Sequence, residues 1–160
     1  MKKTFTFLLL SFFALSSIYS QSYNDNEDIG APNLNVPQHG KRTYNLGKKK
    51  MSLLSATEGV FQRDYSLYIP AGQSVSLNLM PKDNTKLKFG VITSHMNFEG
   101  SFKILINGKE RASLKTKKSL DDDVIAFLEQ PIALLAPVSN LVLVNDSKVG
   151  INLKGIVLEK

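Results

Sequence analysis

Three consecutive aspartates form the densest cluster of titratable side chains in the chain, and the chemistry they suggest is cation binding. Asp121, Asp122 and Asp123 repel one another, and a hard cation such as Ca²⁺ would relieve that repulsion through oxygen ligands. Only alternate residues of an extended chain face one side, so Asp121 and Asp123 are the candidate metal ligands. The spaced Asp-x-Asp-x-Asp-Gly loop is absent, and the alternative interpretation is a charged turn that balances Lys117-Lys118. Apart from Ca²⁺, no cofactor is predicted.

Aromatic side chains suggest a second chemistry, because a flat ring can stack on the apolar face of a sugar while nearby polar groups bond its hydroxyls. Tyr68 falls opposite the apolar face of its predicted strand, and Tyr44, Phe61 and Phe98 lie near predicted strand ends. Tyr44, Tyr68 and Phe98 are the candidate binding platform. Packing in the core or at its rim is the alternative for each ring. The chain has no Trp.

The residues that most catalytic chemistry requires are missing. The chain contains no Cys and two His, His39 and His95, and no Ser lies in the Gly-x-Ser-x-Gly turn of a serine hydrolase. The His-Glu-x-x-His zinc motif, the phosphate-binding glycine loop and the dinucleotide fingerprint are also absent. Two carboxylates could cleave a glycosidic bond, but no spacing in this chain singles out a pair. We therefore predict a protein without catalytic activity.

The net charge and the distribution of lysines bear on whether the protein binds nucleic acid. Lys and Arg number 20 against 14 Asp and Glu, which gives a mildly basic net charge of +6. A nucleic-acid interface needs a basic stripe with stacking aromatic rings on an open face. The only lysine clusters beyond the first twenty residues are two short ones, Lys48-Lys49-Lys50 and Lys115–Lys118, and Asp121-Asp122-Asp123 lies two residues after the second. Nucleic acid is therefore not an expected partner.

The first twenty residues have the layout of a bacterial-type secretory signal peptide. Lys2-Lys3 forms a positive start, Phe5 to Leu15 is nearly continuous apolar sequence, and a run of small residues ends at Ser20. The apolar run would cover about half of a hydrocarbon core of ~30 Å, and no later run is longer. No transmembrane segment is therefore expected after signal removal, and the predicted location is secreted or periplasmic.

Beyond the signal peptide, the sequence divides into a polar segment and one domain. Residues 21–43 carry Asn, Asp, Pro and Gly without a sustained hydrophobic period, which predicts a flexible segment or one that lies extended over the domain. Residues 44–160 contain short runs in which apolar and polar residues alternate, beginning with a predicted strand at Met51–Leu54. Because there is no Cys, the stability of this domain depends on packing alone.

The alternation predicts about nine short strands separated by turn residues. Tyr65, Leu67 and Ile69 are predicted to face inward together. Asn107-Gly108 follows an alternating run and is a strong hairpin signal, because both residues tolerate the positive φ of a type I′ turn. Val124–Leu128 is assigned to a strand despite the aspartates before it, and no segment has a sustained helical stripe. Many short strands without helices predict an all-β sandwich or barrel.

Three segments resemble the galactose-binding-like jelly-roll domains found among carbohydrate-binding modules. Tyr65–Leu79 is similar to their early strand, Pro-Ala-Gly turn and strand, Phe102–Lys109 is similar to their central hairpin, and Leu141–Leu158 looks like their closing strand pair. The resemblance covers roughly residues 44–160 and implies an antiparallel β-sandwich of the jelly-roll type. It also implies an acidic or Asn residue near the closing strand, a role that Asn145 and Asn152 can take.

These observations predict an exported, non-catalytic β-sandwich that binds a glycan or another component of the cell envelope. Loops usually present the contacts of such a rigid domain. The first alternative is an interaction or structural protein of the envelope or cell exterior, in which residues 21–43 dock on a protein partner as an added strand or an extended tail. The second alternative is a small hydrolase on the same scaffold. The predicted ligand-binding residues are Tyr44, Tyr68, Phe98, Asn145 and Asn152.

Overall fold

Two facing β-sheets make up the part of the chain that the computed structural model describes, residues 33–46, 55–57, 59–63 and 65–160. These residues contain no helix, and so none that is long and apolar enough to cross a membrane. The strands in chain order are β1 (Asn33–Asn35), β2 (Lys41–Asn45), β3 (Ser55–Ala56), β4 (Phe61–Arg63), β5 (Ser66–Ile69), β6 (Ser74–Met80), β7 (Thr85–Thr93), β8 (Ser101–Ile106), β9 (Lys109–Lys115), β10 (Val124–Phe127), β11 (Ile132–Leu134), β12 (Ser139–Asn145) and β13 (Ile151–Glu159).

The chain passes repeatedly from one sheet to the other. The first sheet has the order β1-β6-β12-β8-β9, with β3 also paired to β6. The second has the order β10-β7-β13-β5-β4, with β11 also paired to β7 and β2 to β13. All of these pairs are antiparallel except β1 with β6, which is parallel. Crossings such as β5 to β6 and β12 to β13 are typical of a jelly-roll sandwich, and the predicted fold class is confirmed.

Alternating apolar side chains fill the space between the sheets and form one core. Val75, Leu77 and Leu79 of β6 point inward, as their period of two predicts, and the same pattern holds on β7 and β8. Burying one such side chain stabilises the fold by about 1.5–3 kcal/mol. The largest fully buried side chains are Phe89, Phe102, Ile69, Leu77, Leu79, Leu87, Met96, Ile104, Ile106, Leu134, Leu141 and Leu143.

The β8–β9 hairpin closes with the predicted type I′ turn. Asn107 and Gly108 have φ angles of 51° and 75°, both in the left-handed region that this turn requires. The turn is also fixed to β12, because the Asn140 amide donates to Asn107 Oδ1 at 2.8 Å and the Asn107 amide donates to the Asn140 carbonyl at 2.9 Å. A one-residue bulge at Arg111 follows in β9.

The sandwich includes residues that precede Tyr44, where the sequence placed its start. β1 pairs with β6 in the first sheet and β2 pairs with β13 in the second, so residues 33–45 contribute to both sheets. This part of the polar segment therefore lies extended within the domain. Residues 21–32, the predicted signal peptide at 1–20 and the predicted strand Met51–Leu54 lie outside the described residues.

Tyr65 does not share the inward face predicted for it with Leu67 and Ile69. It is 68% exposed, whereas the two aliphatic side chains are buried. The reason is local, because β5 begins at Ser66 and Tyr65 belongs to the turn that joins β4 to β5. A residue outside the strand does not follow the alternation of the strand.

Tyr44 links the two sheets from inside the core. It lies on β2 of the second sheet, and its buried hydroxyl donates to the carbonyl of Asn35 on β1 of the first sheet. Burial raises the pKa of the Tyr44 phenol above its ordinary value of 10.0, and the positive charge of Arg42 opposes this rise. The ring therefore offers no open face for stacking, which removes the physical basis for the predicted role of Tyr44 as a platform.

We expect Tyr44→Phe to change how stability responds to alkaline pH. Because folding raises the phenol pKa, the neutral phenol stabilises the fold below pH 10, and this contribution is lost as the pH rises through the folded pKa. Between about pH 9 and pH 11, wild-type protein should therefore lose more free energy of unfolding than Tyr44→Phe, measured by urea titration. At neutral pH the variant should be about 1 kcal/mol less stable, because one hydrogen bond is lost.

The matched control is Tyr65→Phe, which removes an exposed phenol from a turn. Equal losses of stability at alkaline pH for wild type and Tyr44→Phe would contradict the raised pKa of the Tyr44 phenol.

Candidate functional site

An aromatic pair lies on the outer face of the second sheet, where β4 and β5 form its edge. Phe61 and Tyr68 are directly opposite in the antiparallel register, with ring centroids 5.0 Å apart and an angle of 35° between the ring planes. Tyr68 points outward because its neighbours Leu67 and Ile69 point into the core. Phe61 is 51% exposed, so the pair presents an apolar surface to solvent.

Gly150 determines how closely the Tyr68 ring approaches the backbone. A Cβ atom at position 150 would lie 2.1 Å from Tyr68 Oη and 2.2 Å from the ring carbon that carries it. Any side chain at this position would therefore displace the phenol. Because glycine has no Cβ atom, the ring lies against the backbone just before β13, which leaves Tyr68 half-buried.

Asn152 lies beside the aromatic pair on β13. It is the register partner of Tyr68, and both side chains lie on the outer face of the sheet. Its Nδ2 donates one long hydrogen bond, 3.4 Å, to the carbonyl of His95, and its Oδ1 has no hydrogen-bond partner within the described structure. A buried acceptor without a partner costs about 1–3 kcal/mol. The amide is therefore weakly held by its own contacts.

Lys154 and Asp123 form an ion pair farther along the same face. Lys154 is the extra residue of a β-bulge in β13, where the register with β7 shifts between Leu153 and Gly155. Asp123 directly precedes β10, on the far side of β7 from β13. The Lys154 side chain therefore crosses β7 to reach its partner.

The predicted cation site is not assembled in the part of the chain that the structure describes. Asp121 is exposed, and the Asp123 carboxylate is paired with the Lys154 ammonium group. None of the described ranges contributes to a group of three or more His, Cys, Asp or Glu side chains that could hold a metal ion. One exposed carboxylate and one paired carboxylate do not supply the six to eight oxygen ligands, roughly, that Ca²⁺ takes.

Asn145, predicted to contact a ligand, is fully buried at the end of β12. Its Nδ2 donates to the carbonyls of Ile69 and Val149, each at 2.8 Å, and its Oδ1 accepts from the Ser147 amide at 2.9 Å. These bonds join the first sheet to β5 of the second sheet and hold the loop that leads to Gly150. The Asn145 amide therefore has no exposed group to offer a ligand, and its contacts are structural.

The five predicted binding residues thus separate into two sets. Tyr68 and Asn152 lie side by side on the outer face, whereas Tyr44 and Asn145 are buried and Phe98 is half-buried against the core. The structure adds Phe61, which the sequence placed only near a strand end. The sequence alone does not show how β4 pairs with β5, and it is this register that places Phe61 opposite Tyr68.

Comparison with known proteins identifies a fold rather than a family. No family model matches the chain, and no curated protein matches it. Among solved structures, a family 35 carbohydrate-binding module from Cellvibrio japonicus Abf62 is 10% identical, with a TM-score of 0.58 over 75% of this chain and 93% of that chain. The fold is the jelly-roll β-sandwich that this module also has.

Two further structures agree with this result. The CBM36-1 domain of a multidomain xylanase from the hindgut metagenome of Trinervitermes trinervoides is 9% identical, with a TM-score of 0.57 over 75% of this chain and 97% of that chain. A GH26-CBM35 β-(1,4)-mannanase from Podospora anserina is 12% identical, with a TM-score of 0.57 over 76% of this chain, which spans 28% of that protein. At these identities the likeness shows the fold alone, and the predicted galactose-binding-like jelly roll is confirmed.

The sandwich also carries a groove of about 310 Å³ between the β8–β9 hairpin and β11. The side chains of Ile106 and Ile132 form part of its floor and are almost fully buried, while Arg111 of the β9 bulge and the exposed Leu135 also line it. No aromatic side chain lines the groove. Its chemistry therefore differs from that of the aromatic pair.

Asn145→Ala should destabilise the fold because the buried Ile69 carbonyl, the part-buried Val149 carbonyl and the part-buried Ser147 amide would lose a hydrogen-bond partner. At about 1–3 kcal/mol for each unsatisfied group, we expect a loss of roughly 3 kcal/mol in the free energy of unfolding, measured by urea titration. Asn78→Ala is the matched control, since its amide makes one exposed hydrogen bond, to Asn33. A loss as small as that of the control would show that the Asn145 amide is not structural.

Proposed function

We propose that this protein is an exported, non-catalytic module that binds a glycan, or another component of the cell envelope, on the outer face of its second sheet. The observation that carries the proposal is the exposed Phe61–Tyr68 pair with the Asn152 amide beside it. The fold supports it, because similar structures include a family 35 module and a domain of a xylanase.

The aromatic pair suits a sugar because the C–H faces of a pyranose ring are flat and apolar. Two rings 5.0 Å apart and inclined by 35° form one bent apolar surface that is larger than either ring. Covering such a surface removes apolar area from water at about 25 cal/mol per Å². The Asn152 Nδ2 group, which makes only one long hydrogen bond, then provides a donor for a hydroxyl at the edge of the same sugar. The two rings thus account for most of the affinity for the sugar, and the Asn152 amide orients it.

The groove near Ile106 suits a glycan less well. Its apolar lining is aliphatic, and no flat ring lines it. A sugar in the groove would therefore find no ring on which to stack. The aromatic pair is the better candidate on the strength of its exposed ring surface.

Export and the absence of catalysis complete the proposal. The support for export is the signal-like sequence at residues 1–20, with its basic start and short apolar run. The support for a non-catalytic role is the composition of the site. Phe61, Tyr68 and Asn152 include no pair of carboxylates, which most glycoside hydrolases use.

Replacing either aromatic residue should weaken binding. We expect Phe61→Ala and Tyr68→Ala each to lower the affinity for a polysaccharide by about tenfold, because the loss of a central interface ring costs about 1–2 kcal/mol. The measurement is affinity electrophoresis of the purified chain in gels that contain mannan, xylan or galactan, followed by calorimetry with the glycan that binds.

Leu135→Ala is the matched control, because it removes an apolar side chain with 54% exposure from the groove. Thermal unfolding confirms that each variant is folded. Loss of binding in Leu135→Ala but not in Phe61→Ala would place the site in the groove instead. A wild-type chain that retains an envelope protein and no polysaccharide would favour the interaction-protein alternative.

A further inference from the structure

We infer that the binding face continues from the aromatic pair across the second sheet to the Lys154–Asp123 ion pair, and that it takes an internal stretch of a linear glycan rather than a single terminal sugar. This inference rests on the proposed function. It adds the direction of the bound chain, its minimum length and the residues at the far end of the site.

The register of the sheet places the residues of this face in one continuous row. Phe61 on β4 is opposite Tyr68 on β5, and Tyr68 is opposite Asn152 on β13. The row passes through Ser94, which is buried and connects the two ends without contacting a ligand; its amide donates to the Asn152 carbonyl at 3.3 Å, and the β7–β10 register places Asp123 next to it. The row therefore crosses β4, β5, β13, β7 and β10 in the order of the sheet.

The length of this row exceeds one sugar ring. Neighbouring strands lie about 4.8 Å apart, so the four steps from β4 to β10 span about 19 Å. A pyranose ring stacked on Phe61 and Tyr68 cannot also contact Asp123, which lies three strands beyond Tyr68. Only several linked sugars, arranged across the strands, can contact both ends of the row.

The Lys154–Asp123 pair gives the far end the chemistry to bind hydroxyl groups. The ammonium group carries three donors and the carboxylate only acceptors, and a sugar hydroxyl can serve both. The two side chains are 30% and 43% exposed, so both remain open to solvent. An exposed pair of this kind contributes about 0–1 kcal/mol to folding, so a role in stability accounts for little of its presence.

The two ends of the row therefore act on different parts of the ligand. The aromatic end covers the apolar face of one sugar, and the charged end bonds the hydroxyls of another sugar along the chain. Asn152 lies between them, with an amide that is weakly held by its own contacts. Affinity should rise with the length of the oligosaccharide until the row is filled.

The test is affinity as a function of ligand length. Manno-, xylo- and galacto-oligosaccharides, from monosaccharide to hexasaccharide, are titrated into the full chain and followed by NMR, which measures weak and tight binding alike. We expect wild-type affinity to rise along the series that binds. Asp123→Asn and Lys154→Gln should each lower the affinity for the hexasaccharide about tenfold, since a hydrogen bond to a charged group is lost, and should leave the affinity for the disaccharide unchanged.

Lys103→Gln is the matched control. It breaks another exposed ion pair, Lys103–Asp146 at 3.0 Å, in the other sheet, and should bind every length as wild type does. Monosaccharide and hexasaccharide affinities that are equal, or Asp123→Asn and Lys154→Gln variants that bind the hexasaccharide as wild type does, would overturn the extended row. In that case loss of binding in Phe61→Ala would still support the proposed function. A wild-type chain that binds none of these sugars overturns both.

Discussion

The buried amide of Asn145 is the interaction on which the candidate site depends. It lies at the end of β12 in the first sheet, yet it donates to Ile69 at the end of β5 in the second sheet and to Val149 in the loop before β13. No water can replace a lost partner at the buried Ile69 carbonyl, and the second bond fixes the loop at Val149, so the three segments are held in one arrangement. That arrangement brings Gly150 against the ring of Tyr68. The buried Asn145 thus determines the position of the partly exposed Tyr68.

The site itself is a product of strand register. Phe61, Tyr68, Asp123 and Asn152 are scattered along the chain, and they share a face only because their strands pair as they do. A slip of one residue in any of these strands would turn its side chains toward the core. The bulge at Lys154 also changes the register. Leu153 faces the core before the bulge, Ile156 and Leu158 face it afterwards, and Lys154 stays on the outer face. Register is therefore the physical basis of the site.

This dependence explains which features could be predicted from the sequence. Alternation along a strand and the Asn107-Gly108 turn are local properties, so the strands and most inward faces followed from residue order. Pairing between distant strands is not local, and the sequence therefore gave no link between Phe61 and Tyr68. The residue type of Asn145 likewise reveals nothing about burial, which depends on carbonyls supplied by β5 and by the following loop. Asp123 was assigned to a cation because its partner Lys154 is far away in sequence.

Phe61 is the residue whose exposure packing cannot explain. It lies on β4, at the edge of the second sheet, where unpaired backbone groups and an exposed apolar ring together favour unwanted association. The edge is protected by the short length of β4 and by the exposed Arg63 at its end. Contact with Tyr68 contributes only about 0.5–1.5 kcal/mol beyond burial, and half of the Phe61 side chain remains in water. A polar residue at position 61 would lose this ring contact but no core packing, and under the proposed function the glycan covers the half of the ring that remains exposed.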